Sequence, residues 1–119
     1  MGRFSDALKA EISSYAGSSW TGELGGQQIT LTATPITPKD MSVIRRTHPD
    51  FQTNPSLPGM LDLIILKARD DSGEAAFDLT DKPFLMRISA SKVGEIFGGL
   101  FGSQFEAEDE QGFEDRKKN

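Results

Sequence analysis

The sequence predicts a small α+β domain, mostly helical, built around one antiparallel β-hairpin. Three observations carry this. Apolar residues recur every three or four positions near both ends of the chain, the pattern of amphipathic helices. Between residues 20 and 34 the period changes to strict alternation around Gly25-Gly26. The length, 119 residues, suits one domain. The domain is expected over residues 1–105, followed by an acidic, disordered tail over 106–119.

Residues 4–15 open the chain as a short helix. Ser5 is the expected N-cap, with Asp6 in the first turn where the helix dipole favours a negative charge. Phe4, Ala7, Leu8, Ile12 and Tyr15 form its apolar stripe, with Lys9 and Glu11 toward water. In the hairpin, Trp20, Gly22 and Leu24 share one side of the first strand. Ile29, Leu31 and Ala33 alternate with Thr30, Thr32 and Thr34 in the second, so one face is packed and the other is wet. Such a pair is marginal alone, and its apolar face needs helices or a strand from another chain to cover it.

Thr37-Pro38-Lys39-Asp40 starts a second helix over about 38–47, with Thr37 as N-cap and Met41 and Ile44 inward. Three prolines between His48 and Gly59 mark a long loop. The most apolar run, residues 60–66, extends through Lys67-Ala68-Arg69 as a central helix. Asp70-Asp71-Ser72-Gly73 closes it with a turn, and residues 74–77 are expected to be extended. Asp78 or Thr80 caps a short helical segment containing Phe84, Leu85 and Met86. A last helix over residues 90–101, capped by Ser89 or Ser91, carries the stripe Ala90, Val93, Ile96, Phe97, Leu100 and Phe101. The expected core comprises Leu8, Ile12, Ile29, Leu31, Ile44, Leu61, Ile64, Ile65, Val93, Ile96 and Phe97.

Composition narrows the chemistry. Thirteen Lys and Arg stand against eighteen Asp and Glu, a net charge of −5, which disfavours nucleic acid and anionic membrane. With no cysteine and one histidine, thiol chemistry is excluded and a histidine-based metal cluster nearly so. Asp70-Asp71-Ser72-Gly73-Glu74 fails as a calcium loop, because registering Gly73 at the sixth position puts Ala68 at the first and Leu79 at the twelfth. No Gly-Lys-Ser/Thr follows the glycines at 98, 99 and 102, so they form no phosphate loop. His48 has no nucleophile motif beside it. The expectation is a protein without catalytic, cofactor-binding or metal-binding residues.

The glycine-rich last helix admits two readings. Its stripe is core, or Phe97, Leu100, Phe101 and Phe105, with the loop at 49–58, dock on an apolar helical partner.

Taken in order, the segments resemble a known family. The N-terminal amphipathic helix, the strand pair around Gly-Gly and the Thr-Pro-Lys-Asp helix start come first. Then follow Leu-Asp-Leu-Ile-Ile-Leu-Lys-Ala-Arg, running into Asp-Asp-Ser-Gly-Glu-Ala-Ala-Phe, and Thr-Asp-Lys-Pro-Phe-Leu-Met. A helix ending Ile-Phe-Gly-Gly-Leu-Phe-Gly and an acidic tail complete the series. The chain thus resembles the tail assembly chaperones of long-tailed bacteriophages and prophages, over residues 5 to about 110. The resemblance implies a non-enzymatic protein of the host cytoplasm that binds the tape measure protein and assists tail-tube subunits to assemble around it. It also implies, in many members, a longer frameshifted product, for which the Lys117-Lys118-Asn119 ending could encode a slippery run. The alternative is a structural tail or head–tail connector subunit retained in the virion. Self-association is compatible with either reading.

Overall fold

The computed structural model describes residues 2–15 and 17–104. Its elements, in order, are α1 (Ser5–Ser14), β1 (Ser18–Leu24), β2 (Gln27–Ala33), α2 (Pro38–Arg45), α3 (Leu57–Lys67), a 3₁₀ turn (Leu79–Asp81), α4 (Lys82–Leu85) and α5 (Ala90–Lys118). This is the α+β domain with a single antiparallel hairpin that the sequence predicts. The proposed tail at 106–119 lies outside the described residues.

The hairpin pairs Trp20 with Leu31, Thr21 with Thr30 and Gly22 with Ile29. Gly25 and Gly26, at φ 59° and 80°, supply the two left-handed residues of its turn. Trp20, Leu31 and Ala33 are buried on one face, and on the other the Thr21 and Thr30 hydroxyls meet at 3.0 Å. Beyond β2 the backbone of Arg69 exchanges both hydrogen bonds with Thr32, and Arg69 in turn bridges to Ala75. The turn at Asp70 to Gly73 is therefore stitched to the edge of β2. Its Asp70 Oδ1 accepts from the backbone of Ser72 and Glu74 and from the Ser72 hydroxyl.

α2 begins as its sequence dictates. Thr37 Oγ1 accepts from the Asp40 amide while the Asp40 carboxylate accepts from the Thr37 amide, with Pro38 in the first turn. α3 lies about three residues earlier than the sequence suggests. Ser56 caps it by accepting from the Gly59 amide, so Leu57, Pro58 and Gly59 are helical rather than loop. It ends at Lys67 because the backbone turns extended at Ala68, and Arg69 pairs with Thr32 of β2.

α5 organises the core. Val93, Ile96, Phe97, Leu100 and Phe101 are buried against Trp20, Leu31, Phe51, Leu61, Leu63, Ile64 and Leu85. Gly99 has a specific reason: a Cβ there would lie 2.8 Å from two atoms of Trp20. The indole is held in place by its Nε1–H, which donates to Glu95 on α5 at 3.1 Å. Phe51 fills the other side, edge-on to Phe97 at 6.2 Å between centroids and against Gly59, where a Cβ would be 2.5 Å from its ring. The long loop thus contributes a core anchor the sequence reading omitted.

One correction is large. Leu8 and Ile12 are not core: α1 buries none of its residues, and Leu8 and Ile12 are 64% and 67% exposed. Ser5 is the first helical residue rather than the cap, its hydroxyl donating to the Gly2 carbonyl. The α1 stripe is apolar, but the rest of the domain closes without it.

Candidate partner-binding surface

The residues expected to contact a partner are the wrong ones for a surface. Phe97, Leu100 and Phe101 are 6%, 1% and 0% exposed, with the rings of Phe97 and Phe101 tilted at 55° to each other and 5.4 Å apart. They complete the core under the hairpin, so the core reading of this stripe replaces the docking reading. Phe105 lies outside the described residues. The loop at 49–58 is anchored by Phe51 and closed by backbone bonds from Thr53 and Asn54 to the Asp50 carbonyl.

Besides Leu57 and the pair Phe84 and Met86 at α4, the exposed large apolar side chains of the described residues lie elsewhere, in two places. One is α1, where Phe4, Leu8, Ile12 and Tyr15 run along one face. Glu11 borders that stripe and pushes the Tyr15 phenol above its ordinary range, by its negative charge and by accepting a hydrogen bond. The other is a groove of about 490 Å³ between α2, α3 and the 3₁₀ turn, whose lining includes Val43, Ile44, Ile65, Leu66 and Leu79. Ile44 is buried at its floor, whereas Val43, Leu66 and Leu79 are exposed on its walls. Val43 and Leu66 also border an adjoining recess of about 690 Å³ that reaches Gly17, Thr34, Lys39 and Arg69.

Two ion-pair groups hold these walls. Lys67 Nζ bonds Asp40 Oδ2 at 2.7 Å and Thr34 Oγ1 at 3.1 Å, tying α3 to the start of α2. Asp62 accepts from Lys82 and pairs with His48 Nε2, each at 2.7 Å, joining α3 to α4 and to the loop after α2. Burial raises the pKa of both carboxyls, but hydrogen bonds and nearby cations outweigh it and hold them below the usual carboxylate value. His48 is therefore a partner of Asp62 rather than of its sequence neighbours Arg45, Arg46 and Asp50.

Among the described residues no group of three or more His, Asp or Glu could hold a metal ion. No helix among them is long and apolar enough to cross a membrane. The groove escaped the sequence reading because its walls come from three elements far apart in the chain. The signal that could have found it is Val43, an apolar residue beside, rather than on, the inward face set by Met41 and Ile44.

Comparison with protein-family models, with curated proteins and with solved structures finds no match.

Proposed function

We propose that this protein is a tail assembly chaperone of a long-tailed phage or prophage, acting without catalysis in the host cytoplasm. On this reading it holds apolar helical segments of the tape measure protein until tail-tube subunits enclose them. The order of sequence segments supports the family. The observation that carries the activity is the groove of Val43, Ile65, Leu66 and Leu79, apolar and open on a chain of net charge −5. A trough between two helices takes an amphipathic helix with anchors three and four residues apart, and the acidic chain keeps the complex dispersed.

The test is co-expression with the tape measure protein of the same phage or prophage. The intact chain should keep that protein in the soluble fraction and co-purify with it. Val43→Ser with Leu66→Ser should abolish co-purification while leaving thermal unfolding cooperative. Undiminished binding by this variant would remove the groove from the mechanism. Finding the chain by mass spectrometry in purified virions would favour the structural-subunit alternative.

A further inference from the structure

We draw no further inference here: the strongest candidate, the apolar groove between α2, α3 and the 3₁₀ turn taken with the bare stripe of α1, is an unpartnered surface, and nothing in the structure shows whether a second copy, the chain's own α1 or another partner covers it.

Discussion

α1 and α5 are written in the same code and meet opposite fates. Each sets apolar residues three and four apart: Phe4, Leu8, Ile12 and Tyr15 in the first, Val93, Ile96, Phe97, Leu100 and Phe101 in the second. The α5 stripe is buried at 6% exposure or less, while the α1 stripe is at least 45% exposed. The contrast teaches that a period of 3.6 says which side of a helix avoids water but not what covers that side. For α5 the cover is the hairpin, α3 and Phe51. For α1 the described residues supply no cover.

The contrast can be broken most forcefully at its buried end. Phe101→Ala removes a ring from the centre of the core and should cost about 3 to 5 kcal/mol in denaturant unfolding. A loss below about 1 kcal/mol would mean α5 is not the organising helix. The glycines of α5 sharpen the same point. Gly99→Ala drives a methyl into Trp20 and should destabilise by about 1 to 3 kcal/mol. Gly94→Ala and Gly98→Ala meet open space, so each should stabilise the helix by roughly 0.5 to 1 kcal/mol. Equal effects at all three positions would show that Trp20 does not lie over Gly99.

A smaller effect probes the walls of the groove. Asp40 and Asp62 have folded pKa values below the unfolded value of 3.8, so their contribution is complete above that pH. It is lost as the pH falls from 3.8 toward their folded values. Asp62→Asn should cost about 1 kcal/mol at neutral pH, in keeping with partly buried pairs, and should reduce the fall in stability on acidification. An acid limb of unchanged steepness would show that Asp62 is not among the groups responsible. Smallest of all, Leu8→Ala and Ile12→Ala should each change the stability of the dilute chain by less than about 0.5 kcal/mol. A cost of 2 kcal/mol at either would mean the helix packs on its own domain.

Elements governed by local chemistry were legible in the sequence. Gly25-Gly26 dictates the hairpin turn, the threonines its wet face, and Thr37-Pro38-Lys39-Asp40 the start of α2. Leu31, Ile44, Leu61, Ile64, Val93, Ile96 and Phe97 are core as expected, and Ile29 and Ile65 pack at its margin. What sequence reading missed depends on contacts across the chain. Phe51 lies in a proline-rich segment with no periodicity, yet it inserts beside Phe97 because Gly59 leaves room for its ring. The end of α3 was placed too late because Ala68 and Arg69 favour helix locally, and pairing with Thr32 overrides that preference. The expected docking residues Phe97, Leu100 and Phe101 belong to the helix whose stripe is covered, and the expected core residues Leu8 and Ile12 to the helix whose stripe is exposed.

Amide hydrogen exchange on the full chain in dilute solution addresses the difference between the two helices most directly. In dilute solution the amides of residues 8–14 should exchange near the rate of a free helix, while those of residues 93–101 exchange only through global unfolding. Protection of α1 equal to that of α5 in the dilute chain would contradict the account, because it would place the first helix within its own domain.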